Sequence, residues 1–283
     1  MQSALSRVTV PGFRSRKRIG PPLVVLTAYD APGASVGEAG GVDALLVGDS
    51  LGTVLLGYDS TLRVTLEEML HHARAVGRAR QRALLIADMP WMSYHLGPAD
   101  AARNAARFVR EAGADAVKLE GGAKRLPAIG AILDAEIPVM GHLGLTPQSV
   151  LALGGYKVQG RSEAAADALV ADAVALARAG VFSIVLEGVP PEPAARITRE
   201  VDVPTIGIGA GPDCDGQVLV FHDLLGMLPG RSPKFVRRYA ELRELQVAAV
   251  KAWAEDVRSG AFPTERESYG TTPGAAAAPG PGR

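Results

Sequence analysis

Acidic and hydroxyl side chains follow a buried apolar run near the start of the chain. Residues 44–47 read Ala-Leu-Leu-Val, and Gly48, Asp49 and Ser50 come directly after them. A short apolar run that ends at glycine is typical of a buried strand, so Asp49 and Ser50 are predicted at the carboxyl end of one. A carboxylate in that position needs hydrogen-bond donors, a cation or a metal ion to replace its lost hydration.

The same pattern recurs at four further predicted strands. The polar residues at or just after their carboxyl ends are Asp88, Lys118, Glu120, His142 and Glu187. Residues two apart in a strand point to the same face, so Lys118 and Glu120 are expected side by side. Each acid taken alone could equally cap a helix or pair with a surface arginine. For the whole set, separate helix caps and surface pairs are a weaker explanation. Carboxylates brought together raise one another's pKa unless a positive charge lies between them, so the set predicts one shared site that contains a cation.

The predicted site carries more negative than positive charge. Lys118 cannot balance Asp49, Asp88 and Glu120, so these three carboxylates are predicted to bind a divalent metal. Mg²⁺ fits because it takes oxygen ligands and keeps several waters that a chelating substrate can replace. A metal that binds a 2-oxo acid stabilises the enolate formed beside the ketone. Lys118 would then neutralise the substrate carboxylate or the enolate oxygen, and Glu187 is placed to act as general base.

Two further motifs have alternative interpretations. His142 alone is consistent with a buried structural histidine, but the polar, glycine-containing loop at 141–149 favours contact with substrate. The glycines at 207, 209 and 211 could bind phosphate, as loops after the seventh strand of a barrel often do. No lysine or arginine follows them before Arg231, so the preferred interpretation is that they keep the mouth of the barrel open.

Eight short apolar segments mostly alternate with helical patterns along the chain. The predicted strands are residues 23–30, 44–47, 83–88, 116–120, 138–143, 183–187, 205–209 and 217–221. The predicted helices cover 31–40, 65–80, 98–112, a segment ending near 135, 162–179, 192–200 and 233–259. This alternation predicts an α/β protein with a parallel sheet covered by helices, and eight units favour a single-domain (β/α)8 TIM barrel. An open sheet is disfavoured because no glycine-rich nucleotide-binding turn follows the first strand.

Composition bounds the organisation of the chain. Residues 1–22 are predicted to be an irregular or edge-packed lead-in, 23–265 the catalytic barrel, and 266–283 a low-complexity tail that is expected to be disordered from about residue 270. The 30 basic and 30 acidic residues cancel, so the charge does not indicate nucleic acid or an anionic membrane as a partner. No apolar run approaches the roughly 20 residues of a membrane helix. A single cysteine, Cys214, fits a reducing compartment, and a cytoplasmic location is expected.

Seven segments of the sequence resemble the ketopantoate hydroxymethyltransferase family. They are TAYD at 27–30, LVGDSLG at 46–52, ADMP at 87–90, VKLEGG at 117–122, GHLGLTPQS at 141–149, GGYKVQG at 154–160 and DGQVLV at 215–220. The resemblance extends from about residue 20 to 265, and the segments 141–149 and 154–160 are the most specific. It implies transfer of a hydroxymethyl group from 5,10-methylenetetrahydrofolate to 3-methyl-2-oxobutanoate. The product would be ketopantoate (2-dehydropantoate), in the first step of pantothenate biosynthesis.

The resemblance also implies roles for individual residues. Asp49 and Asp88 would be direct ligands of one Mg²⁺ per subunit, and Glu120 would be a third, directly or through water. The residues implied in binding the oxo acid are Asp49, Ser50, Asp88, Lys118 and His142. Glu187 would be the catalytic base. Members of the family form large homo-oligomers, commonly decamers.

Gly188 departs from the family pattern, in which a cysteine often follows the base. A glycine beside Glu187 predicts that the carboxylate is held less firmly.

Two other functions are compatible with the pattern. The first is a different Mg²⁺-dependent, enolate-forming carbon–carbon lyase on a barrel, of the isocitrate lyase or phosphonopyruvate type. The second is a non-catalytic barrel that binds a metal and an oxo acid. The sequence does not indicate which residues contact the folate, or whether the native metal is Mg²⁺, Mn²⁺ or Co²⁺.

Overall fold

Eight short strands form a closed barrel in chain order, and the last strand pairs with the first. The computed structural model describes residues 6–270. Its strands are β1 (Leu23–Thr27), β2 (Ala44–Val47), β3 (Leu84–Asp88), β4 (Ala116–Glu120), β5 (Val139–Gly144), β6 (Ser183–Glu187), β7 (Thr205–Ile208) and β8 (Gly216–Leu219). Every neighbouring pair is parallel. The predicted (β/α)8 barrel is therefore confirmed.

Helices of very different lengths connect and surround the strands. They are α1 (Val10–Arg14), α2 (Ala31–Ala39), α3 (Leu51–Val54), α4 (Leu66–Ala79), α5 (Pro98–Ala112), α6 (Leu126–Asp134), α7 (Val150–Leu153), α8 (Glu163–Ala179), α9 (Pro191–Glu200), α10 (Phe221–Leu224) and α11 (Leu242–Ser259). The start of α4 shows the local cause of one boundary. Thr65 caps the helix and forms a reciprocal pair of hydrogen bonds with Glu68, which satisfies backbone donors that the first turn leaves free.

The register of the strands places the polar residues beside one another. Asp88 on β3 lies opposite Lys118 on β4, and Glu120 on β4 lies opposite His142 on β5. Glu187, the last residue of β6, lies opposite Gly144. In a parallel barrel all these ends meet at one rim. The register therefore determines the composition of the site before any loop contributes to it.

A short helix closes the other end of the barrel. Phe13 on α1 is fully buried and packs edge-to-face against Phe182, which immediately precedes β6, with ring centroids 5.8 Å apart. It belongs to the same apolar cluster as Leu23 and Val25 of β1. The prediction of an irregular or edge-packed lead-in did not include this helix, which is ordered by the burial of Phe13. Residues 1–5 lie outside the described part of the chain.

The carboxyl-terminal region differs from its prediction. The helix expected over 233–259 begins only at Leu242, and within the described chain none of the residues of α11 is buried. The segment before it is held by tertiary contacts instead: Tyr239 N–H donates to Leu224 O at 2.8 Å, and the Arg238 guanidinium donates to Gly230 O at 2.7 Å. No helix within residues 6–270 is long and apolar enough to cross a membrane.

The predicted tail at 266–283 begins in a 3-10 turn at Glu265–Glu267. Its residues 271–283 lie outside the described part, so the predicted disorder there stays a prediction.

Candidate active site

The polar residues at the strand ends line one cavity of about 390 Å³ at the mouth of the barrel. Those predicted from the sequence are all present in its lining: Asp49, Ser50, Asp88, Lys118, Glu120, His142 and Glu187. Asp49, Asp88, Lys118, Glu120 and His142 are each buried to 96% or more. Charged groups withdrawn from water to this degree must be neutralised by one another or by a bound cation.

Lys118 supplies the positive charge at the centre of the cluster. Its Nζ lies 2.6 Å from Asp88 Oδ1, and both side chains are buried. Burial opposes the charged ammonium, but the carboxylates of Asp88, Glu120 and Asp49 outweigh burial and raise the pKa of Lys118 above its ordinary value. The lysine is therefore a permanent cation that neutralises one of the three carboxylates.

The remaining negative charge is not balanced by the protein. Burial, and then the neighbouring charge of Asp88, raises the pKa of Asp49 to about 7. Burial, and then Asp49, raises the pKa of Glu120 well above its usual value. Both shifts have the same physical cause, because each carboxylate would be ionised in a dry site that already contains negative charge. A divalent cation would reverse this unfavourable balance.

The chemistry of these donors fits Mg²⁺, but their conformation is not that of a closed metal site. Within residues 6–270, no three His, Cys, Asp or Glu side chains are arranged so that they could hold a metal ion. The carboxylate oxygens point to partners in the protein instead: Asp49 Oδ2 accepts from Gln148 Nε2 at 2.8 Å, and Glu120 Oε2 accepts from Gln148 N–H at 3.0 Å. The side chains of Asp49, Asp88 and Glu120 would have to rotate before they face one ion.

His142 connects the charged cluster to Glu187. Its Nδ1 lies 3.3 Å from Lys118 Nζ and its Nε2 lies 3.4 Å from Glu187 Oε2. Burial, and then the charge of Lys118, lowers the pKa of His142, so the imidazole is neutral at pH 7. A neutral ring that accepts from the Lys118 ammonium at Nδ1 carries its proton on Nε2. Nε2 faces Glu187 Oε2 at 3.4 Å but does not form a hydrogen bond with it in this conformation.

Glu187 lies at the edge of the cluster, and its backbone is firmly held. Its side chain is 18% exposed, so it is the most accessible of the strand-end carboxylates. Its carbonyl accepts from Leu145 N–H at 2.7 Å, and Gly188 N–H donates to Ile208 O at 2.9 Å. Gly188 has φ +55°, a conformation that glycine adopts at little cost. These backbone contacts define the turn at Gly188, and looser positioning of the Glu187 carboxylate stays a prediction.

Ser50 is oriented by a tyrosine from the neighbouring strand segment. The Tyr29 hydroxyl lies 2.8 Å from Ser50 Oγ, and burial raises the pKa of Tyr29 above its ordinary value. The phenol therefore stays neutral and restricts the rotation of the serine hydroxyl beside Asp49. Tyr29 lies in the segment 27–30, but its role was not predicted from the sequence.

A model of the ketopantoate hydroxymethyltransferase family matches residues 7–265. The chain belongs to this family. A 3-methyl-2-oxobutanoate hydroxymethyltransferase of Koribacter versatilis is 56% identical over 264 residues, which cover 93% of this chain and 90% of the relative. One of Moorella thermoacetica is 55% identical and covers 93% of this chain and 98% of its own length. The resemblance inferred from the seven segments is therefore confirmed.

The barrel of this family member is also similar to a more distant solved structure. The phosphoenolpyruvate phosphomutase of Streptomyces platensis subsp. rosaceus superposes with a TM-score of 0.60 over 89% of this chain and 88% of its own, at 16% identity. A similarity at this level of identity shows a shared fold. It does not distinguish a hydroxymethyltransferase from a lyase or mutase, so that distinction depends on the residues of the site and on the family match.

The glycines after β7 serve close packing in this family member. Gly209 has φ +62°, and a Cβ added there would lie 3.0 Å from the ring of Phe235. Gly211 has φ +81°, and a Cβ added there would lie 2.8 Å from Cβ of Pro191. These contacts support the interpretation that the glycines shape the barrel mouth rather than bind phosphate.

Sequence reasoning missed the residues that support the cluster from behind. Gln148 and Tyr94 are buried next to Asp49 and Glu120, yet neither was predicted as part of the site. Gln148 lies in the polar loop 141–149, which the sequence did indicate as functional. The sequence did not reveal the path of that loop, which brings the side chain of Gln148 into contact with Asp49.

Proposed function

We propose that the chain transfers a hydroxymethyl group from 5,10-methylenetetrahydrofolate to 3-methyl-2-oxobutanoate and so produces ketopantoate. The observation that carries the proposal is the cluster of Asp49, Asp88, Lys118 and Glu120, joined through His142 to Glu187. This arrangement combines an excess of carboxylates with a more accessible carboxylate base. The two relatives are named for this activity, which agrees with the proposal.

Asp49, Asp88 and Glu120 would hold Mg²⁺, with Glu120 bound directly or through a water. The all-oxygen donor set and the unbalanced negative charge support this assignment. When bound, Mg²⁺ would act as a Lewis acid toward the oxo acid. The present side-chain conformation requires rotation of these carboxylates before they can share one ion.

The protein's own groups would perform the remaining steps. Lys118, a permanent cation, would stabilise negative charge on the oxo acid, and Asp88, to which it is paired, would hold the ammonium in place. Glu187 would take the proton from C3 of the oxo acid, because it is the accessible carboxylate of the cluster. His142 and Ser50 would bind the oxo acid, with Ser50 held by Tyr29 and with His142 Nε2 facing Glu187 Oε2 at 3.4 Å.

The partners proposed for this chain are the two small-molecule substrates and further copies of itself. A homo-oligomer, a decamer by resemblance to the family, is supported by the exposed apolar side chains of α11. A cytoplasmic location rests on the single cysteine and the resemblance, and it stays a prediction.

The decisive experiment follows deuterium exchange at C3 of 3-methyl-2-oxobutanoate by NMR, with Mg²⁺ and without folate. Methylenetetrahydrofolate is then added and ketopantoate is measured. Exchange followed by product formation is expected. Exchange without product would indicate an enolate-forming lyase instead, and no exchange in either condition would indicate a non-catalytic binding protein.

Glu187→Gln is expected to lose exchange while it still binds the oxo acid. The amide cannot accept the C3 proton as a base, and a loss of 10²–10⁴-fold is typical when a general base is removed. Binding is measured by calorimetry on the same preparation. Exchange close to the wild-type rate would show that another group is the base.

A further inference from the structure

Gln148 occupies a buried position between two of the strand-end carboxylates. It lies in the 3-10 turn Pro147–Ser149 that follows β5, and it is only 5% exposed. A buried primary amide must satisfy two N–H donors and one carbonyl acceptor within the protein. Its partners therefore define what the residue does.

All the polar groups of the Gln148 side chain have partners. Nε2 donates to Asp49 Oδ2 at 2.8 Å and to Met89 O at 3.0 Å, while Oε1 accepts from the Tyr94 hydroxyl at 2.5 Å. The Tyr94 oxygen also lies 3.3 Å from the N–H of Glu120, which donates to it. Tyr94 therefore directs its own proton to Gln148. This fixes which end of the amide faces Asp49, because Met89 O can only accept and therefore requires the NH2 end on that side.

The backbone of Gln148 acts on the second carboxylate. Its N–H donates to Glu120 Oε2 at 3.0 Å. One residue thus contacts one oxygen of Asp49 through its side chain and one oxygen of Glu120 through its main chain. Each carboxylate keeps its second oxygen for another partner.

We propose that Gln148, with Tyr94 behind it, is a positioning residue that anchors one oxygen each of the Asp49 and Glu120 carboxylates, so that the second oxygen of each is the one that turns toward a divalent cation. The inference rests on the proposed metal site. Hydrogen bonds behind a metal ligand restrict its rotamers, and their loss typically lowers metal affinity by about 10–100-fold. A merely structural role for Gln148, in anchoring the loop after β5, would instead affect folding stability and leave metal affinity unchanged.

The test compares Mn²⁺ binding by the full-length protein and by Gln148→Met, using calorimetry and the EPR spectrum of the bound ion. Methionine keeps the length and apolar bulk of the side chain and removes the amide, while the backbone bond to Glu120 remains. Mn²⁺ affinity is expected to fall by about 10-fold or more, with a changed EPR spectrum. Gln217→Met is the matched control, because the amide of Gln217 donates only to Gly211 O and lies on an exposed position of β8.

The outcomes separate this proposal from the function on which it rests. If the wild-type protein takes up no Mn²⁺, the metal site and the role of Gln148 are both overturned. If the wild type binds Mn²⁺ and a folded Gln148→Met binds it within twofold, only the positioning role is overturned. If Gln148→Met does not fold, Tyr94→Phe decides by the same criterion, because it removes the hydroxyl that orients the amide and leaves Gln148 in place.

Discussion

The individual residues of the site form a group whose charge the protein alone does not balance. Asp49 has a pKa of about 7 in the folded chain, above the ordinary value near 4. A carboxyl group whose pKa rises on folding binds more protons in the native state than in the unfolded state. Stability then falls as pH rises through the window between these two values. This electrostatic cost of ionising a buried carboxylate is expected at a cation-binding site, because the bound cation removes it.

In protein freed of metal with EDTA, Asp49→Asn is expected to reduce the pH dependence of stability. Between pH 4 and 7 the free energy of unfolding of the wild type should fall with rising pH, and that of the variant should fall less. Some slope should remain because burial also raises the pKa of Glu120. Urea titrations at pH 5 and 7.5 measure the difference.

The same variant should bind Mn²⁺ more weakly, because an amide oxygen carries no charge. Asp202→Asn, whose side chain is 72% exposed, is the control and should leave both properties unchanged. Equal pH dependence in wild type and Asp49→Asn would contradict the assigned cause.

The residues of the site were predictable to the extent that they lie on strands. Asp88, Lys118 and Glu120 converge because the ends of a parallel barrel share one rim, which follows from the strand pattern alone. Gln148 and Tyr94 could not be found in this way. Their contacts with Asp49 and Glu120 depend on the paths of the loops after β3 and β5, which no periodicity in the sequence encodes.

Among the secondary-structure elements, apolar runs located the strands, and the helical patterns between them located the longer helices. The predicted helix at 98–112 has the same bounds as α5. The five-residue helix α1 was missed because a segment containing Pro11 and Gly12 has no helical periodicity, and only the burial of Phe13 orders it. At 233–241 a helix was predicted and is not formed, again because of tertiary contacts. Arg238 donates to Gly230 O and Tyr239 N–H donates to Leu224 O, and these hydrogen bonds override the helical pattern.

The element-scale prediction is that Phe13→Ala destabilises the barrel without altering the site. Phe13 is fully buried against Phe182 at the end of the barrel opposite the carboxylates, so its truncation leaves a cavity. Loss of a buried phenylalanine typically lowers the free energy of unfolding by roughly 3–5 kcal/mol. Denaturant titration measures this loss, and Mn²⁺ affinity of the folded variant should be unchanged. Phe13→Leu should lose less, and a loss below about 1 kcal/mol for Phe13→Ala would show that α1 is dispensable.

For the whole molecule, the fold and the function are decided by different observations. The barrel superposes on a phosphoenolpyruvate phosphomutase at a TM-score of 0.60, although only 16% of residues are identical. One architecture thus carries different reactions, and assignment to the hydroxymethyltransferase family comes from the sequence match over 7–265. The fold explains why the polar residues meet, and the residues themselves determine the chemistry.

The outer surface of the molecule carries apolar side chains that are not covered by any residue between 6 and 270. On α11, Leu245, Val250, Trp253 and Val257 are between 46% and 65% exposed. At about 100° per residue these four side chains fall on one side of the helix, and Lys251 falls on the opposite side. A second apolar surface, a groove lined by Val24, Val36 and Leu224 among others, lies on the outside of the barrel near β1 and β8. Large apolar surfaces of this kind are typical of sites where subunits associate.

We expect that charges introduced on the apolar side of α11 dissociate the proposed homo-oligomer. Leu245→Asp combined with Trp253→Asp places two carboxylates where the proposed interface would exclude water, and a buried unpaired charge costs several kcal/mol. The assembly should therefore dissociate to a smaller species in multi-angle light scattering, while the circular dichroism of the barrel is preserved. Lys251→Asp introduces the same residue on the opposite side of the helix and should leave the mass unchanged. An oligomer of undiminished mass in the double variant would show that α11 does not hold the subunits together, and a wild-type monomer would overturn the proposed oligomer itself.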